Sequence, residues 1–238
     1  MAERPLRGGS VNTVVRVGDT VRRPPSGRFV HEVLGFFERS GWNGAPRFLG
    51  VDERGREILS FVDGYVAWQP GTTGVTEEVS LVRVAELVRE FHDLTAGTPL
   101  TGDQEVVCHN DLAPFNTVYV RDAGLRPVAF IDWDLAAPGR RIHDIAHVCW
   151  LYLGLGPGAD VGQAARRIRL ICDAYRLDGQ GEIVDVILWW QDRCWRGIQA
   201  GAAAGDPAMV QLRDDGEVRE IQAAFRWVAE HRDDLEAA

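Results

Sequence analysis

Residues 107–120 read VCHNDLAPFNTVYV. His109, Asp111 and Asn116 fall within eight positions, between two apolar runs. Residues 128–139, VAFIDWDLAAPG, repeat the pattern with an apolar run that ends on Asp132 and Asp134. Short apolar runs bounded by turn formers read as buried strands. Both stretches therefore deliver carboxylates and an amide to strand ends.

The spacing H-x-D-x-x-x-x-N, followed sixteen residues after Asn116 by a strand-end Asp, suits phosphoryl transfer. That chemistry asks the protein to orient an alcohol and to hold Mg²⁺ against phosphate charge. Asp111 fits the base that accepts the hydroxyl proton. Asn116 and Asp132 offer the oxygen ligands that hard Mg²⁺ prefers. Asp134 is open between a part in the metal site and a turn cap.

HNDLAPFN and FIDWD together resemble the aminoglycoside phosphotransferase and choline kinase branch of the protein kinase-like fold. IHDIAHV places Asp144 where that family has a later D-[IL]-A segment. The resemblance is specific over residues 105–148 and weaker elsewhere. It implies an α+β, bilobal protein kinase-like fold, with a small abbreviated β-rich N-lobe and a larger, mostly helical C-lobe. It also implies an ATP-dependent small-molecule kinase that uses Mg²⁺, with GTP as the alternative donor and a hydroxyl as acceptor. In that frame His109 braces the catalytic loop, and Asp144 holds it through hydrogen bonds. Gly8, Gly9 and Ser10 of RGGSVNTVV are the candidates for a phosphate-covering loop, against the plain reading of a frayed terminus. The family lysine must here be an arginine. Arg22 is the first choice and Arg23 the next, with Glu32 as the pairing carboxylate. Arginine still clamps phosphates bidentately. Backbone groups over 59–62, including Ser60 and Val62, would meet the nucleobase.

Working outward, residues 11–23 read as strand, turn, strand, and residues 28–40 as a helix with Phe29, Val33, Phe36 and Phe37 on one face. Two short strands about Glu53-Arg54-Gly55 complete an N-lobe over 1–62. Residues 63–74, DGYVAWQPGTTG, read as a hinge. The C-lobe, 75–238, opens with a helix from an N-cap at Thr76 to about Thr95. After residue 140 the chain reads as helices over 142–153, 159–177, 181–203 and 207–235.

Composition narrows the partners. The 238 residues are 45% hydrophobic and carry a formal charge of −9, so a nucleic-acid partner is not expected. All 26 basic residues are arginine, which excludes Schiff-base lysine chemistry. Four cysteines without C-x-x-C spacing, no apolar leader and no membrane-length apolar run point to a cytoplasmic chain with free thiols. From residue 158 onward fifteen acids face ten arginines, which reads as a solvated surface or as a pocket for a cationic alcohol.

Two further patterns carry alternatives. His143 and His147 share a helix face, as in zinc hydrolases, but Asp144 is a short stand-in for the glutamate of that motif and no third ligand is near in sequence. Trp189, Trp190 and Trp195 read as helix core; the family resemblance implies that the late helices build the acceptor pocket, with one of the three as its lining. A non-catalytic nucleotide-binding or immunity-type protein on the same scaffold is the rival function, motivated by the short N-lobe and the missing lysine.

Overall fold

A computed structural model describes residues 2–6, 14–68, 74–122 and 124–237. Five short antiparallel strands form the N-terminal sheet: β1 (Arg4–Pro5), β2 (Val15–Val17), β3 (Thr20–Arg23), β4 (Phe48–Val51) and β5 (Glu57–Ser60), in the order β1-β2-β3-β5-β4. Helix α1 (Arg28–Arg39) packs on it, burying Val30, Val33, Leu34 and Phe37. Proline ends β3, since Pro24 and Pro25 cannot donate to a ladder.

The predicted hinge already belongs in part to the second lobe. Strand β6 (Tyr65–Val66) pairs with β8 (Thr117–Arg121), which pairs with β9 (Leu125–Phe130). Gly64 makes this approach possible. At its φ of +155° an added Cβ would lie 2.4 Å from Val118 Cγ1 and 2.7 Å from the Tyr119 carbonyl oxygen.

Helix α2 (Glu78–Thr95) packs against β9 and later helices of the second lobe, buried over Leu81, Val84, Ala85, Leu87, Val88, Phe91 and His92. Its N-cap is Glu77, and no side chain caps it, so the expected Thr76 cap is not formed. Strand β7 (Val106–Cys108) pairs with β10 (Ala137–Gly139) and so brings residue 109 beside the chain that follows Asp134. Helices α3 (Arg141–Leu153), α4 (Val161–Tyr175) and α5 (Ile183–Ala203) make the body of the C-lobe. The single helix expected over 207–235 is three: α6 (Pro207–Asp215), α7 (Glu217–Glu230) and α8 (Arg232–Glu236). Gly216, at φ +99°, closes α6 by sending its N–H to the Arg213 and Leu212 carbonyls. That is the left-handed stop for which glycine is favoured.

An aromatic cluster joins the lobes behind the cleft. Trp133 is buried, with ring centroids 5.1 Å from Phe37, 5.1 Å from Phe91 and 4.5 Å from His109. Its indole N–H donates to the Phe130 carbonyl at 3.0 Å. Burying a tryptophan this fully stabilises by several kcal/mol. That fixes the backbone between Asp132 and Asp134 and points both carboxylates the other way.

Candidate active site

A cleft of about 540 Å³ lies between the lobes. Its upper wall includes Val21, Arg23, Pro46, Leu59, Ser60 and Val62, and its floor includes Asp111, Phe115, Asn116, Ile131 and Asp132. Side chains as distant in sequence as 23, 111 and 132 therefore face one space.

The loop after β7 carries two of the floor groups. His109 is fully buried, and burial holds its imidazole below its ordinary pKa despite the charge of Asp144. Its Nε2–H donates to the Ile131 carbonyl at 3.0 Å, and its Nδ1 accepts the Asp111 N–H at 3.3 Å. Asp144, from the first turn of α3, accepts the backbone N–H groups of His109 at 2.7 Å and Asn110 at 2.8 Å. His92 donates to the same carboxylate at 3.1 Å. Burial alone would raise the Asp144 pKa, but these donors and the nearby histidines leave it lowered. The loop is thus clamped by a buried carboxylate. Asn110 and Asp132 both sit at positive φ, +63° and +64°. Such backbone is costly for residues other than glycine and clusters at functional sites.

The Asp111 carboxyl is strongly shifted by its surroundings. Burial first, then the charge of Asp132, raises its carboxyl from 3.8 to about 7, although an N–H from Asn116 works the other way. That bond runs from Asn116 Nδ2 to Asp111 Oδ2 at 2.8 Å, and Nδ2 also reaches the Asp111 carbonyl at 2.9 Å. A carboxylate with a raised pKa, in a cleft and beside a second carboxylate, is matched to proton transfer near neutral pH.

The cation facing this floor is Arg23. Its Nη1 donates to Asp132 Oδ1 at 2.9 Å, its Nη2 to Asp134, and its Nε lies 3.1 Å from Glu57 Oε1 as an ionic contact. Burial works to lower the guanidinium pKa, but the charges of Asp132, Asp134 and Glu57 leave it raised. Glu57 is fully buried, and it also accepts from the Ser26 N–H at 3.0 Å and pairs with His31 Nε2 at 2.8 Å. The Ser26 hydroxyl lies 2.9 Å from Glu57 and 3.0 Å from Asp134; with one proton it serves one of them at a time.

The expected pairing of Arg22 with Glu32 is corrected here. Arg22 points to the other face of β3, where it donates to Thr20 Oγ1 at 2.6 Å and lies 3.8 Å from Asp52. Glu32 pairs instead with Arg28 on the outside of α1, at 2.7 Å. Strand alternation gives the reason. Val21 and Leu59 line the cleft and are cross-strand partners, so Arg23 and Glu57, two residues along each strand, share that face and also pair. That period-two signal was in the sequence; His31 and Ser26 left none. Ser60 and Val62 line the cleft, with Ser60 Oγ accepting the Arg47 N–H at 2.8 Å. Gly8, Gly9 and Ser10 lie outside the described residues.

The zinc-hydrolase alternative finds no support in the geometry. His147 is buried, its pKa lowered to about 4 by burial, and its Nδ1 bonds the Leu112 carbonyl at 3.3 Å. Asp144 is already saturated by the loop amides and His92. Among the described residues His143 and His147 belong to no group of three close metal-ligating side chains. Trp190 is buried and donates to the His143 carbonyl at 2.9 Å, whereas Trp189 is 45% exposed and stacks on His143.

The donor set suits a divalent metal. Asp132, Asp134 and Asn116 supply oxygens, and one guanidinium against the three carboxylates Asp132, Asp134 and Glu57 leaves two negative charges in excess.

Residues 63–177 match the family described as the phosphotransferase enzyme family. A trifolitoxin immunity protein of Rhizobium leguminosarum bv. trifolii is 31% identical over 268 aligned positions, which take in 98% of this chain and 97% of that protein. Among solved structures, a choline/ethanolamine kinase family protein of Mesorhizobium loti superposes with a TM-score of 0.64 at 16% identity, over 100% of this chain and 93% of the other. The GDP complex of an aminoglycoside 2'-phosphotransferase-IIIa gives 0.63 at 13% identity, over 97% and 93%. These two likenesses establish the kinase-like fold. With one relative matching almost end to end and the family pattern spanning the residues of the cleft floor, the chain belongs to the phosphotransferase enzyme family.

Proposed function

We propose that this protein is a small-molecule kinase that moves the γ-phosphoryl group of a nucleoside triphosphate, ATP with GTP as the alternative, to a hydroxyl. The observation that carries the reading is the convergence of Asp111, Asn116 and Asp132 on the floor of one cleft, opposite Arg23. The structures solved with GDP or ATP in related folds support a nucleotide as the occupant of that cleft.

In this reading Asp111 orients the acceptor hydroxyl and takes its proton. Asn116, which donates to Asp111 through Nδ2, would hold the metal through its carbonyl oxygen together with Asp132. Bound Mg²⁺ supplies neutralisation of the phosphate charge. Arg23 offers its Nη edge to phosphate oxygens, a bidentate match that a lysine lacks. The aromatic wedge of Trp133 holds the Asp132 carboxylate in place, and Asp144 keeps the Asp111 loop from collapsing. The domain limits that accompany this reading are an N-lobe over 1–62 and a C-lobe from 75, with a crossing segment between them. Among the described residues no helix is long and apolar enough to cross a membrane; we place the protein in the cytoplasm with a small hydroxylated molecule as partner.

A second reading has its own support: the relative named as an immunity protein, and an Arg23 that already satisfies Asp132 and Asp134. It makes the chain a nucleotide-binding protein without turnover. One experiment separates the two. Thermal stabilisation by Mg²⁺–ATP, followed by ADP release across a panel of hydroxylated metabolites and antibiotics, is expected for the kinase. Stabilisation without ADP release from any acceptor supports the second reading, and no stabilisation by any nucleotide removes both.

A further inference from the structure

The guanidinium of Arg23 touches three carboxylates on three separate chain segments: Glu57 on β5, and Asp132 and Asp134 after β9. Two of those contacts lie where the proposed function needs a metal. The third is different in kind. Glu57 is sealed from solvent and tied by the Ser26 N–H and by His31, whose ring stacks on Phe48 at 3.8 Å. Asp132 and Asp134 keep 42% and 33% of their side chains exposed. One edge of the guanidinium therefore faces a rigid, buried carboxylate through an ionic contact at 3.1 Å, without a hydrogen bond, and the other donates to exposed, exchangeable ones.

We propose that Arg23 is a pivoting counter-cation. Glu57 stays beside the Nε edge, while the Nη edge exchanges Asp132 and Asp134 for phosphates when a nucleotide binds. This inference rests on the reading of the cleft as a nucleotide site. A lysine could not do this, because one ammonium is a point charge without a second edge to leave behind. The consequence is an order of binding. Metal alone meets carboxylates that Arg23 already engages, whereas metal arriving with phosphates brings the anion that draws Arg23 away. The carboxylate that positions this cation comes from the sheet and not from α1, whose contribution is His31.

The test measures ligands and not turnover. Mn²⁺ binding to the nucleotide-free protein is followed by electron paramagnetic resonance, and ADP binding without metal by calorimetry. The proteins are wild type, Arg23→Gln, Arg23→Lys, Asp132→Ala and, as a control on the opposite face of β3, Arg22→Gln. Arg23→Gln should bind Mn²⁺ about tenfold more tightly than wild type, because a positive charge within contact distance has gone, and metal-free ADP about tenfold more weakly. The tightened Mn²⁺ site should vanish when Asp132→Ala is added, and Arg22→Gln should match wild type in both assays. Arg23→Lys keeps the buried charge and so guards against loss of the fold; it too should bind Mn²⁺ more tightly, since it cannot span all three carboxylates. Unchanged or weaker Mn²⁺ binding in the folded Arg23 variants would overturn the proposal, as would undiminished ADP binding by Arg23→Gln. Neither result depends on whether any acceptor is phosphorylated, so failure here and failure of the kinase reading are told apart.

Discussion

Asp111→Asn is expected to stabilise this protein while ending phosphoryl transfer. The fold raises the Asp111 carboxyl from 3.8 to about 7, chiefly by burial and secondly through Asp132. Below 3.8 the carboxyl is protonated in folded and unfolded chains alike. Between 3.8 and about 7 the folded chain keeps a proton that the unfolded chain has released, so stability falls as pH rises through that window. Above about 7 the whole penalty is present. A carboxyl moved that far corresponds to about 4 kcal/mol if fully sealed. Asp111 borders an open cleft, so solvent screening reduces this to about 1–2 kcal/mol. Asparagine keeps the shape and still accepts from Asn116, but it carries no charge. For a chain of this length the gain is worth about 3–6 °C in Tm. Melting curves of both proteins from pH 5 to pH 8 provide the assay. The difference should grow with pH and reach its full size near pH 8, while ADP release by the variant drops to background. A difference that stays flat, or an Asp111→Asn protein that melts lower at pH 8, would refute the argument that this carboxylate is held against its own charge.

Three other predictions follow from the same geometry. Asp132→Ala should retain the far-ultraviolet circular dichroism of the wild type but lose Mg²⁺-dependent stabilisation by ATP; a preserved shift would remove Asp132 from the metal site. Asp144→Asn loses the charge on which two loop amides and His92 converge, and should cost about 2–4 kcal/mol in urea titrations. A change under 0.5 kcal/mol there would mean the loop is held elsewhere. Gly64→Ala forces a Cβ against Val118 and the Tyr119 carbonyl at a φ that alanine rarely adopts, and should cost about 2 kcal/mol or more, read as a lower urea midpoint at unchanged slope.

How much of this was legible in the sequence depends on whether a signal is local. The floor of the cleft was legible because Asp111 and Asn116 lie five residues apart on one loop and Asp132 ends the next long strand, so spacing alone nearly fixes their meeting. Helices α1, α3 and α5 were legible within two residues from apolar period. The break at Gly216 was missed because apolar residues continue on both sides of it; only the glycine between Asp215 and Glu217 marks the stop. The upper wall was the hardest to read. Its cation was assigned first to Arg22 with Arg23 as the next choice, and the structure puts Arg23 at the cleft; a one-residue slip in a strand changes the face. Reading Val21 as cleft-facing would have selected Arg23, and Leu59 would have selected Glu57 in the same way. The roles of His31 and Ser26 had no local signature, since each depends on where a different element packs.

The two perturbed groups of the cleft, Asp111 and Arg23, are linked through one side chain. Asp132 is the largest charged contributor to the raised Asp111 carboxyl and the first charge that raises Arg23. Neutralising Asp132 therefore acts on both at once: Asp111 loses part of the repulsion that favours its protonated form, and Arg23 loses one of its carboxylate partners. Under the proposed function, neutralising Asp132 favours the charged form of Asp111 and at the same time loosens the hold on the guanidinium. While Asp132 keeps its charge, the Asp111 carboxyl stays raised and the guanidinium stays engaged. In the kinase reading, the charge of Asp111 is therefore linked to occupancy of the cleft through Asp132, a carboxylate that need not touch the acceptor.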